Sequence, residues 1–188
     1  MPTEQASHLQ RAQELFLTVA SDISLITEGA FTVGDSQVDE VASVPEGAGQ
    51  IHISFRLRLE AGTEVGAACV LMPLPEAISL AGSLMMLSEE DVDRRRSAND
   101  LDPSTKDAIM EVGNMLASAA ECSLIGMTGD GAQVRFEGCQ GVRADTRPRL
   151  EHLEEDALAL VRVNVRCGEH PASPVLFTAP VRVFSTEA

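Results

Sequence analysis

The sequence predicts an α+β domain in which a largely antiparallel sheet carries two long helices on one side. Segments 51–59 and 161–167 alternate apolar with polar residues, the period of strands with one buried face. Segments 4–27 and about 103–124 repeat apolar residues at the three-and-four spacing of helices. Each half of the chain also reads as one long helix followed by antiparallel strands, a duplication of architecture without sequence identity. With 188 residues, 44% of them hydrophobic, one core and a single domain over 1–188 are expected.

In the helix over 4–27, Leu9, Ala12, Phe16, Val19, Ile23 and Ile26 form one stripe. The stripe suits packing on the domain's own sheet, and its regularity also suits a seam with a second protomer. Residues 31–44 are mixed, and Pro45 to Gly49 form a loop. Strand 51–59 buries Ile51, Ile53, Phe55, Leu57 and Leu59; the apolar run 64–72 follows after Ala61-Gly62-Thr63, so the two form a hairpin. Pro75 opens a short helix with Ile78, Leu80, Ala81, Leu84 and Met85 on its apolar side. The polar stretch 88–102 lacks periodicity and reads as a connector, after which Asp102-Pro103 is an N-cap followed by a proline at the first helical position. Beyond Gly129-Asp130-Gly131, Val134, Phe136 and Val142 suggest one irregular strand. Alternation is clear again over Val161 to Cys167 and over Val175 to Phe184, where Pro180 argues for an edge strand or a break.

The charge excludes several functions. A net charge of −15 with no Trp or Tyr leaves no basic, aromatic-studded surface for nucleic acid. The cluster Arg94-Arg95-Arg96 follows Glu89, Glu90, Asp91 and Asp93 and reads as a self-neutralising solvated loop. Cys69, Cys122, Cys139 and Cys167 contain no C-x-x-C pair, so buried thiols are expected rather than disulfides, and the lone Cys167/His170 pair is too sparse for zinc. No signal peptide is legible, and the apolar stretch 65–74 is far short of the roughly 20 residues that span a bilayer. A cytoplasmic protein with no membrane partner is expected.

The helix from 103 carries the chemistry. At about 100° per residue, Asp107, Glu111, Asn114 and Ser118 share a band about 60° wide, and apolar residues fill almost all the rest. Solvent exposure alone accounts for a narrow polar ridge on a buried helix, yet this one sets a carboxylate and a carboxamide one turn apart.

The run Asp107-Ala-Ile-Met-Glu111-Val-Gly-Asn114-Met-Leu-Ala resembles the D/S-x3-E-x2-N signature of the CheC/CheX/FliY phosphatases, including its Gly113-Asn114-Met115 triplet. The order of the flanking elements is similar too. The single motif, with only Glu14-Leu-Phe-Leu17 and no Asn in phase on the first helix, is closest to the CheX-like branch. Two positions depart from the family: its proline about 22 residues after the Asn is replaced by Phe136-Glu137-Gly138, and Ser118 stands where Gly is common. The resemblance implies a pseudo-duplicated CheC/CheX-like fold and a homodimer. It also implies hydrolysis of the aspartyl phosphate on a CheY-like response regulator in chemotaxis or related two-component signalling. Glu111 and Asn114 would be the catalytic pair, with Asp107 and Ser118 in partner contact. The chain would need no cofactor or metal of its own, because the Mg²⁺ belongs to the regulator. The alternative implied by the same likeness is a non-catalytic, regulator-binding scaffold or flagellar-switch-like module.

Overall fold

Apolar stripes on helices and alternating strands resolve here into two layers. The computed structural model describes residues 4–28, 31–47, 49–97, 101–129, 131–150 and 156–185. In chain order its elements are α1 (Glu4–Ile26), β1 (Phe31–Val41), β2 (His52–Ala61), β3 (Glu64–Pro73), α2 (Leu74–Leu84), α3 (Glu89–Arg96), α4 (Pro103–Thr128), β4 (Gln133–Val142), β5 (Leu158–Cys167), β6 (Ser173–Pro180) and a 3₁₀ turn, Val181–Phe184. Within the expected segments, Ala48, residues 98–100 and Asp130 lie outside the described residues.

The six strands form one antiparallel sheet in the order β1-β5-β6-β3-β2-β4. Read from either edge, this order is the same with the halves α1-β1-β2-β3 and α4-β4-β5-β6 exchanged, so the expected duplication is real. The register repeats it: His52 faces Val142 and Pro73, while Leu158 faces Val41 and Pro180. Pro73 and Pro180 each end a strand and open a helical segment.

The core lies between the helices and one sheet face. Ile53, Phe55, Leu57 and Leu59 of β2 and Val161, Val163 and Val165 of β5 point to the helices, together with Val70 and Phe177. α1 lies over β1 and β5, α4 lies over β4 and β2, and the two helices touch each other. Phe16 of α1 stacks on Phe177, ring centroids 5.1 Å apart. The stripe of α1 is thereby used inside the domain, with Leu15 and Ala20 added to it. Ile26, at the helix end, is 54% exposed.

Four expectations are corrected. The mixed segment after residue 30 is a strand, β1, whose alternation is broken by a bulge between Val33 and Ser36 and whose edge position leaves most side chains wet. The connector contains α3. Ser88 caps it, accepting from the Asp91 N–H at 3.2 Å, while Glu89, Glu90 and Asp91 in its first turn and three arginines in its last match the helix dipole. β6 is central rather than an edge, and the other alternative, a break at Pro180, is what occurs: the strand ends there and the 3₁₀ turn follows. Of the cysteines, Cys69 and Cys167 are buried and all four are free, but Cys122 is exposed and Cys139 is partly exposed.

α3 is pinned from below. Arg96 reaches Glu76 at 3.3 Å, with side-chain exposures of 12% and 3%, and also donates to the Pro75 carbonyl and the Ser79 hydroxyl. Ser173 of β6 donates to the same Glu76 carboxylate at 3.0 Å. The middle of α4 is fixed by sterics: an added Cβ on Gly113 would fall 2.2 Å from Cζ of Phe136 on β4, so only glycine lets the tip of that ring come this close to the helix. A bulge opposite Arg56–Leu57, with Gly138 at φ +106°, restores the phase of β4 so that both Phe136 and Cys139 face α4.

Two stability predictions result. Gly113→Ala gains up to about 1 kcal/mol in helix propensity but forces overpacking that costs about 1–3 kcal/mol, so urea unfolding is expected to show net destabilisation. Adding Phe136→Ala to it is expected to relieve the clash, giving a non-additive cycle. Arg96→Met strands a buried carboxylate and is expected to cost about 3 kcal/mol, whereas the double variant Glu76→Leu/Arg96→Met is expected to lose less.

Candidate functional site

α4 begins with a cap that the sequence announces. Asp102 accepts from the Thr105 N–H at 2.7 Å and from the Ser104 hydroxyl at 2.9 Å, and Arg95 of α3 bridges Asp102 to the Thr105 hydroxyl. The Thr105 N–H, then these hydroxyls, hold the Asp102 carboxyl well below the usual carboxylate range, so the cap remains ionised into acid. Ala108, Ile109, Val112, Gly113, Leu116, Ala117, Ala119, Ala120 and Leu124 are buried, which uses most of the circumference. Gly129 ends the helix at φ +89°.

Beyond the first turn, most of what stays in water is one row along the helix: Asp107, Met110, Glu111, Asn114, Ser118 and Cys122 are all exposed, with Lys106 exposed to one side of it. The four residues singled out from the sequence are thus together on one face. The Asn114 amide donates to the Glu111 carboxylate at 3.3 Å, a hydrogen bond across one helical turn. Neither Asp107 nor Glu111 forms an ion pair among the described residues, so both present uncompensated negative charge outward. Asn114 Oδ1 has no partner among the described residues and faces a medium in which it can hold water.

The polar pattern alone missed two residues. Met110, 40% exposed, lies beside Glu111 and adds an apolar contact to the row; its sulfur is 3.4 Å from Cys139 Sγ. Its place on the helical wheel, beside the polar band, was the available signal. Glu121 accepts from the Val134 N–H at 2.8 Å and ties the end of α4 to β4, a long-range bond that no spacing rule reveals. The departure at residues 136–138 now has a physical account, since Phe136 is the ring behind Gly113, next to Asn114.

Other chemistry is poorly served. Burial pushes the Cys69 and Cys167 thiols up to about 12, which keeps them protonated and inert. His170 pairs with Asp93 at 2.9 Å, and among the described residues no three His, Cys, Asp or Glu side chains gather to hold a metal ion. α4 is long and apolar enough to cross a membrane by composition, but half of its most apolar window is buried inside the domain.

No protein-family profile and no curated protein matches the sequence. Solved structures do match its fold. FliY from Thermotoga maritima superposes with a TM-score of 0.67 at 16% identity, covering 98% of this chain and 93% of that one. CheX from Vibrio vulnificus gives 0.59 at 9% identity, covering 91% and 98%. The FliM middle domain from H. pylori gives 0.62 at 7% identity, covering 98% of both chains. Over nearly its whole length, the chain has the fold of the CheC/CheX/FliY proteins, which the FliM middle domain shares.

Proposed function

We propose that this chain is a phosphatase for the aspartyl phosphate of a CheY-like response regulator, working in the cytoplasm in chemotaxis or a related two-component pathway. The observation that carries this reading is the Glu111–Asn114 pair, hydrogen-bonded and open to solvent on a helix whose other faces are largely packed into the core. An amide is no base at neutral pH, so Asn114 works by position: its carbonyl and NH₂ hold a water in line with phosphorus. The water oxygen bonds to phosphorus as the bond from phosphorus to the aspartyl oxygen breaks, and inorganic phosphate and a free carboxylate leave. The acyl phosphate is already reactive, so positioning suffices, and the charge-stabilising Mg²⁺ comes with the regulator. Glu111 suits a contact with the regulator's active-site lysine. Asp107 and Ser118, one turn beyond on either side, extend the docking row, and Met110 gives it an apolar flank.

The fold shared with the FliM middle domain favours a second reading, a switch-like scaffold that binds a regulator without dephosphorylating it. Phosphate release separates the two. Asn114→Ala is expected to leave regulator affinity nearly unchanged while the rate falls on the order of 100-fold. Glu111→Lys sets a cation against the regulator's lysine and is expected to weaken binding by on the order of several kcal/mol. Unchanged release in Asn114→Ala, measured across several regulators, would sink the phosphatase reading; equal loss of binding in both variants would favour the scaffold.

The reading includes a homodimer. With the stripe of α1 buried inside the domain and the β1 edge studded with carboxylates, the unpaired side of β4 is the edge that suits an isologous contact. Sedimentation at tens of micromolar is expected to give about twice the 20.0 kDa of one chain, and a single species at that monomer mass would count against it.

A further inference from the structure

We propose that the sheet face turned away from the helices carries a binding cleft for a small phosphate-bearing ligand. Because Ile53, Phe55, Leu57 and Leu59 of β2 point into the core, the alternating Arg56 and Arg58 must point to the other side. There they line a cleft of about 860 Å³, joined by Arg149 from the segment after β4 and by Arg182 from the 3₁₀ turn. Four guanidinium groups thus converge in a chain whose net charge is −15 and which has a single lysine, Lys106.

Their pairing is uneven. Arg182 is held by Glu64 at 2.9 Å and Asp156 at 2.8 Å, and Arg58 by Glu60 at 2.8 Å, so these heads are fixed and largely neutralised. Arg56 and Arg149 form no ion pair with any described residue. Arg56 donates from Nη2 only to the Glu137 carbonyl, at 3.1 Å, and its Nε is buried with no acceptor. A buried donor without a partner is costly, and nothing in the hydrophobic core requires an arginine at this position. An anion in the cleft lets the guanidinium turn outward and gives Nε the acceptor it lacks. Planar, always-charged guanidinium forks match phosphate oxygens two at a time, and arginine rather than lysine is the residue used throughout. Among the described residues, Glu137 is the one carboxylate lining the cleft with no ion pair, so the site favours a ligand that presents phosphate to Arg56 and Arg149 and leaves the Glu137 side open. The cleft shares no residue with the row on α4, so this inference stands or falls apart from the proposed phosphatase activity.

The test uses the full chain and calorimetric titration with inorganic pyrophosphate, with inorganic phosphate and sulfate alongside. Saturable binding of pyrophosphate is expected, weakening as salt is raised. Arg149→Gln, at an exposed and unpaired residue, leaves the fold intact and is expected to weaken binding about tenfold; Arg56→Gln, checked by thermal unfolding, is expected to do the same. Arg162→Gln, an exposed arginine of β5 outside the cleft, is the control and is expected to bind as the wild type does. Binding that does not saturate in the millimolar range, or equal affinity in the Arg56→Gln/Arg149→Gln double variant and the wild type, overturns the proposal. If sulfate and inorganic phosphate match pyrophosphate in affinity, the cleft is a general anion patch and the ligand class proposed is wrong.

Discussion

Neither half of this chain completes its own side of the sheet. β2 finds its outer neighbour in β4, and β5 finds its own in β1, so each half lends an edge strand to the other. At the centre the halves meet through three residue pairs, Cys69 with Thr178, Val70 with Phe177 and Leu71 with Leu176. The outer pairings are far longer, running the length of both strands. The sheet is therefore held less by its central seam than by this exchange. α4 inherits the dependence, because it rests on β4 from its own half and on β2 from the other. Where Glu111 and Asn114 point is set by contacts drawn from both ends of the sequence.

Much of this was legible because burial leaves a period. The strands β2 and β5 have one wet and one dry face, and their alternation gives them away. α4 was legible at both scales, through Asp102-Pro103 at its start and a narrow polar band along its length. β1 was not, because at the sheet edge Asp35, Ser36, Asp39 and Glu40 cost little to expose and a bulge resets the phase. α3 was hidden because its stability lies in capping, charge order and one buried ion pair, none of which gives a hydrophobic repeat. At the site, spacing could find Glu111 and Asn114 but could not find Phe136, whose role depends on the missing side chain of Gly113 across the layer.

Charge is sorted by face. The exposed row of α4 carries Asp107 and Glu111 without compensation, whereas the opposite face of the sheet carries Arg56, Arg58, Arg162 and Arg166. At physiological salt the screening length is about 8 Å, shorter than the thickness of a helix layered on a sheet, so each face acts on its surroundings nearly alone. An incoming basic surface is steered to the helix side even though arginines lie behind it.

The exchange of edge strands also sets a timetable during synthesis. Phe31 must wait for Cys167, and Val41 for Leu158, so β1 leaves the ribosome long before its only partner exists. The hairpin of β2 and β3, closed by the two residues Gly62 and Thr63, can form first, but its two outer edges wait for β4 and β6. An apolar, regular β1 left unpaired for that interval would invite pairing between nascent chains. Its carboxylates and its bulge make such pairing unfavourable, and in the finished fold they remain at the edge, where they disturb nothing.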